Sequence, residues 1–368
     1  MNDRMVNPTR LTLARKRAGR TKSALANDIG VDLRTISAYE AGEYAPAEDA
    51  FRKLQSVLDF PEEFFYGDDL EEPTHDTVSF RAMSKMTASK RDMALSAGAL
   101  AFHLNTWLES QFELPGPDLP DLSREPTPEV AADSLRRYWG VGELPIRNMI
   151  HLLEAKGVRV FSLAVDAREV DAFSTWKGQT PFVFLNVHKS AEHNRFDAAH
   201  ELGHLTLHRH AAPHGREAET QANAFAGAFL MPRRSVLSYT RRFPTLSDLI
   251  EWKNIWITSV AALNYRLHEV GLLSEWNYRS LCIQIAQHGY RTTEPNEAPR
   301  ETSQVLPKVL AALHKDGIGR AKLARTLCIS KLKLEHLIFG LVMTGIDGGR
   351  FGSPATPQQV KPSLALVK

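Results

Sequence analysis

The stretch "RFDAAHELGHLTLHRH", from Arg195 to His210, constrains this chain more than any other. It holds the spacing His-Glu-x-x-His at His200, Glu201 and His204. On a helix, residues four apart sit about 40° apart around the axis and about 6 Å along it. Both imidazoles then reach one ion. Glu201 lies about 100° round from His200, inconvenient as a ligand but near enough to hold a water on the metal and take its proton. Gly203 leaves room for another element to approach the helix. Chance alone gives this pattern in about 1% of chains of such length, so a third ligand is the support it needs.

Two candidates compete for that place. His210 sits ten residues after His200, but a histidine there requires a glycine three residues earlier to turn the chain, and that position is Leu207. Glu219, in "ETQANAFAGAFLMP", shares one face of a second helix with Asn223. A His-His-Glu set leaves a fourth position open for water, and Asn223 is placed to hold a ligand imidazole from behind. Glu217 nearby reads as an ordinary solvated residue. His188 and His193 precede the helix and read as surface histidines.

These two segments, "FDAAHELGHLTLH" and "ETQANAFAGAFLMP", resemble the two-helix signature of the ImmA/IrrE metallopeptidases. "VSFRAMSK", "PDLPDL", "LPIRNMIHLLEAKGVRVF" and "PFVFLNVHKS" are also similar to longer regulators of that family, so the resemblance covers about residues 78–300. It implies a gluzincin-like minimal peptidase with one Zn2+ per chain. Its ligands would be His200, His204 and Glu219, with Glu201 as general base. His208, one turn on, is implied as a structural or supporting histidine beside Asn223. Relatives cleave repressor-type proteins in phage immunity or stress responses. The resemblance therefore implies a repressor-type or antitoxin-type protein substrate and an activity that depends on a trigger. "PFVFLN" is a candidate edge for an extended substrate, or simply core.

At the other end, "TKSALANDIGVDLRTISAYEAGE" reads as two short helices meeting at Gly30, the second capped at Asp32. It resembles the helix-turn-helix of XRE-type repressors. A recognition helix presents its first residues to the major groove of a double-stranded operator. Leu33, Arg34, Thr35, Ser37 and Ala38 take the outward positions, with Arg34 the best base reader. Lys22, Arg17 and Arg20 suit phosphate contacts. Ala24 and Ala38 stand where polar residues are often used, which thins the expected readout. The resemblance further implies a structural ion pair between Arg15 and Glu40.

Between and beyond these motifs, the 368 residues predict two or three domains. The expected fold is mainly α with a small β-sheet (α+β). A five-helix repressor-like domain spans residues 1–70, and a linker and long helix residues 71–126. The peptidase domain spans residues 127–295, a helical C-terminal subdomain 296–345, and an unstructured Gly- and Pro-rich tail 346–368. Strands are expected at "VRVFSL", "DAFSTW" and "PFVFLN". The long helix from Thr87 is one guess for a homodimer interface. "EWKNIWITSVAALNYRLHEVGLL" and "GRAKLARTLCISKLKLEHLIFGL" each have a weak helix-turn-helix look, best read as packing units.

A formal charge of +2 excludes a general polycation, so DNA contact must come from a local patch. Two distant cysteines, Cys282 and Cys328, suit a reducing cytoplasm and argue against a cysteine metal site. No secretory signal or membrane span is read. The function expected is a DNA-binding regulator with a zinc endopeptidase. An alternative is a non-catalytic transcription factor that uses zinc as a sensor or structural element. Glu201 favours the enzyme, because a structural site needs no base.

Overall fold

A computed structural model describes residues 5–74, 78, 87–163, 172–210, 215–241 and 243–342. The N-terminal unit comprises α1 (Pro8–Arg17), α2 (Lys22–Ile29), α3 (Leu33–Ala41), α4 (Glu48–Leu58) and a 3₁₀ turn, Glu62–Tyr66. These are the five helices expected. Asn7 caps α1, whose first residue is Pro8, and the Thr21 hydroxyl caps α2. Gly30, at φ 74°, ends α2 in the left-handed conformation that the tight turn requires. Asp32 occupies the N-cap position of α3 but makes no capping hydrogen bond. Leu11, Leu25, Ile36, Leu54 and Phe64 meet in the core.

The long helix α5 (Ala88–Gln111) begins at the predicted cap, Thr87. Every residue from Ala94 to Phe102 is buried. A helix covered all round lies inside a protein. Near its start, the Ser89 hydroxyl donates to the Gly19 carbonyl. Further along, Phe102 packs on Phe182 with ring centroids 4.6 Å apart, and His103 Nε2 lies 3.2 Å from the Leu327 carbonyl. The apolar surface of this helix, the guessed dimer face, is used within the chain from Ala94 to Phe102.

The central region holds α6 (Pro128–Tyr138), α7 (Met149–Ala155), β1 (Arg159–Ser162), β2 (Ala172–Lys177), β3 (Thr180–Leu185), α8 (Ala191–Leu207) and α9 (Arg216–Leu230). The strands form one sheet in the order β1-β3-β2, β3 running parallel to β1 and antiparallel to β2. β3 is thus paired on both sides. That overturns "PFVFLN" as a substrate edge; Phe182, Val183, Phe184 and Leu185 are core. α8 packs under β2 and β3 and against α9. Gly203 permits this close approach, since a Cβ there would lie 3.0 Å from the Phe225 ring.

Helices α10 (Arg233–Tyr239), α11 (Leu246–Trp256), α12 (Val260–Glu269) and α13 (Glu275–Gln287) follow, then α14 (Val305–Lys315), α15 (Arg320–Thr326) and α16 (Lys331–Ile338). The turns from α11 to α12 and from α15 to α16 repeat the one at Gly30. Ile257 and Cys328 each adopt φ 54°, and Ser259 and Ser330 cap the second helices. Packing holds these side chains in a region that costs roughly 1 kcal/mol. The last pair docks inside the chain. Lys333 Nζ lies 3.0 Å from the Leu58 carbonyl, 2.6 Å from the Asp59 carbonyl and 2.9 Å from Asp59 Oδ2. A cation thus meets the negative end of α4. Cys328 is half-buried, and burial pushes its thiol up. The tail 346–368 lies outside the described residues.

Candidate metal centre and DNA-binding face

The two imidazoles of the opening motif point across the α8–α9 contact. His200 Nε2 and His204 Nε2 are 3.1 Å apart. Glu219 Oε2 lies 3.3 Å from the first and Oε1 3.4 Å from the second. A tetrahedral zinc with bonds of about 2.0–2.1 Å spaces its ligand atoms about 3.3–3.4 Å apart, so the three fit one ion. Chemistry agrees. His200 Nδ1 faces Asn223 Oδ1 at 3.2 Å and must donate to it, which leaves a lone pair on Nε2. His204 Nδ1 lies 3.0 Å from His208 Nδ1, whose own Nε2 faces Gln221 Oε1 at 2.8 Å. The His204 Nε2 lone pair is therefore also inward. Both Glu219 oxygens are buried without a well-formed hydrogen bond. Three electron-rich atoms turned on one point repel unless a cation lies among them.

The charges suit that role. Burial pushes His204 down to about 4, despite Glu219 beside it. Burial alone would raise Glu219, but His200 and His204, where they carry protons at low pH, outweigh it and hold the carboxyl down to about 2. At neutral pH His204 is neutral and Glu219 ionised, the forms a metal binds.

Glu201 is buried, and the Ser174 hydroxyl of β2 donates to its Oε2 at 2.7 Å. His210 stands apart, 70% exposed at its side chain and 3.2 Å from Asp121. Sequence reasoning missed Ser174 and Gln221. Neither carried a local signal: Gln221 is two residues from both Glu219 and Asn223 and so faces another way on α9, and Ser174 depends on the sheet register. Glu217 is exposed, as expected, and Gln221 Nε2 donates to its Oε1 at 3.3 Å.

At the N-terminus, Arg15 Nε lies 2.5 Å from Glu40 Oε1 and Nη2 3.1 Å from Oε2. Lys22 joins the same carboxylate at 3.3 Å. Leu33 and Arg34 are exposed at the start of α3, and Thr35 and Ser37 half-exposed. Ala38 corrects the expectation: it is 7% exposed, because a methyl projects too little to clear its neighbours. Arg17 is also buried, which pushes its guanidinium down to about 10 and removes it from the phosphate-facing set. Arg20 remains accessible and pairs with Asp28 at 3.2 Å.

A helix-turn-helix joined to a two-helix His-His-Glu cradle under a small sheet describes a DNA-binding module with a metallopeptidase-like domain. Comparison with protein families agrees. Residues 153–268 match the IrrE N-terminal-like domain of the M78 peptidases, and residues 11–65 match a helix-turn-helix domain. The two matched segments place a helix-turn-helix and an IrrE-like peptidase-family domain on one chain. No curated protein matches it.

Proposed function

We propose that the chain is a DNA-binding regulator whose second domain is a zinc-dependent endopeptidase acting on a repressor-type or antitoxin-type protein. The observation that carries this reading is the convergence of His200, His204 and Glu219, with Glu201 next in sequence. Zinc, when bound, supplies Lewis-acid polarisation of a water and of the scissile carbonyl. Asn223 and His208 orient the two imidazoles. Glu201 accepts the proton released by the attacking water and returns it to the leaving amine, while Ser174 fixes the carboxylate plane. The substrate class follows from the ImmA/IrrE resemblance. No described helix is long and apolar enough to cross a membrane, and the unpaired Cys282 and Cys328 suit a cytoplasmic setting.

Metal analysis of the purified protein tests the centre. About one zinc per chain is expected, retained through dialysis, with Glu219→Ala reduced to roughly a tenth or less. A zinc content unchanged in Glu219→Ala would remove the His-His-Glu assignment.

For the DNA-binding half we propose Lys22, Leu33, Arg34, Thr35 and Ser37 as the contact set, with the Arg15–Glu40 pair holding α3 in place. Two copies on paired half-sites is the geometry such modules use. Arg34→Ala is expected to weaken operator binding by about 1–3 kcal/mol and to relax preference at one base position. Lys22→Ala should instead lower affinity for all sequences and reduce the salt slope by about one. Titrations against operator and scrambled duplexes at several salt concentrations read both. Equal loss on both duplexes for Arg34→Ala would make it a phosphate contact.

A further inference from the structure

We propose that Gln221 is a positioning residue for the metal centre: acting through His208, it sets the tautomer and orientation of His204. The inference rests on the zinc reading above and adds a relay that reaches the surface of α9.

Three hydrogen bonds run in series. Gln221 Nε2 lies 3.3 Å from Glu217 Oε1, one turn earlier on α9. A carboxylate only accepts, so the amide nitrogen faces Glu217 and the amide oxygen faces the other way. That oxygen lies 2.8 Å from His208 Nε2. His208 therefore carries its proton on Nε2 and has a lone pair on Nδ1. His208 Nδ1 lies 3.0 Å from His204 Nδ1. His204 must then donate from Nδ1, and its Nε2 lone pair turns toward Glu219 and His200.

The two ligand imidazoles differ in a way that makes Gln221 necessary. His200 is held by Asn223, whose amide oxygen, Oδ1, faces it at 3.2 Å and accepts. His204 is held by another imidazole, which exists in two tautomers. In the wrong one, with its proton on Nδ1, His208 would face the His204 donor with a donor. With its amide oxygen on His208 Nε2 and its nitrogen on Glu217, Gln221 disfavours that form. α9 thus supplies a ligand, Glu219, and fixes both imidazoles, through Asn223 on one side and Gln221 on the other. The hydrogen bonds of Gln221 go to His208 and Glu217, so its effect on His204 passes through His208.

Competition with a chromophoric chelator measures the zinc affinity of the full chain. Gln221→Leu removes the acceptor and is expected to weaken zinc about tenfold, the lower end of the range for outer partners of metal ligands. Gln221→Glu keeps an oxygen facing His208 and should stay within about threefold of wild type. Both metal-free variants should melt with the wild type, which separates positioning from damage to the fold. Unchanged affinity in Gln221→Leu overturns the proposal. So does an equal loss in both variants, because packing rather than the acceptor would then be what matters. Wild-type protein that binds no zinc would sink the zinc reading instead. Ring ¹⁵N spectra of the metal-free chain decide the relay in either case: His208 protonated at Nε2 supports it, and His208 protonated at Nδ1 removes it.

Discussion

Glu201→Gln is expected to slow hydrolysis of a repressor-type substrate by about 10²–10⁴-fold, the usual contribution of a general base. Zinc content and operator affinity should stay at wild-type levels. The substitution keeps the side-chain volume, and an amide oxygen can still accept from the Ser174 hydroxyl that now lies 2.7 Å from Glu201 Oε2. What it loses is basicity, since an amide does not take up a proton near neutral pH. None of the three converging ligand atoms belongs to Glu201, so the metal has no direct reason to leave. The readout is fragment formation on gels beside metal analysis and a DNA titration. Wild-type cleavage by the variant would remove Glu201 from the chemistry. Lost cleavage with intact regulation in cells would favour the sensor role for the zinc.

The parts of this site that were legible in the sequence are the local ones. His200 and His204 are tied by helix geometry alone, and Asn223 by its offset from Glu219. Ser174 lies in a strand whose face is set by pairing with Val183 of β3, a long-range fact that no spacing encodes. The same limit applies to "PFVFLN". Its apolar run announces a buried strand, but only the sheet order shows it in the middle. Ala38 and Arg17 fail for a related reason. Helical periodicity gives the outward direction of a side chain, but cover comes from neighbours, and a short methyl or a long stem is hidden by them. α5 is the instructive case. "ALSAGALAFHL" is apolar on nearly every face, which already announces burial all round rather than one free face. The left-handed turns at Ile257 and Cys328 carry no glycine to mark them. Their likeness to the turn at Gly30 shows only in the backbone.

The largest effect on stability is expected from Lys253→Met, at about 3–5 kcal/mol, the cost of leaving buried charge unpaired. Lys253 Nζ lies 2.6 Å from Glu192 Oε1 and 3.4 Å from Glu294 Oε2. All three groups are buried. Glu192 belongs to the first turn of α8 and also accepts the Ala298 amide; Glu294 accepts the Val260 amide. One ammonium thus ties the helix of the metal centre to α11, to α12 and to the segment after α13. Burial already raises the Glu294 carboxyl, and Lys253 is among the groups that hold it back. Removing the cation raises it further. A carboxyl whose folded pKa exceeds its unfolded one binds more protons when folded, so stability falls as pH rises between the two values. The penalty in Lys253→Met should therefore be largest at neutral and alkaline pH and shrink as pH falls toward the ordinary carboxyl range. Adding Glu294→Gln to Lys253→Met should recover part of the loss at neutral pH and flatten this dependence. Thermal melts of wild type and both variants across pH 5 to 8 read the difference. A gap between wild type and Lys253→Met that holds constant with pH would mean that lost packing, and not unpaired carboxylate charge, sets the cost.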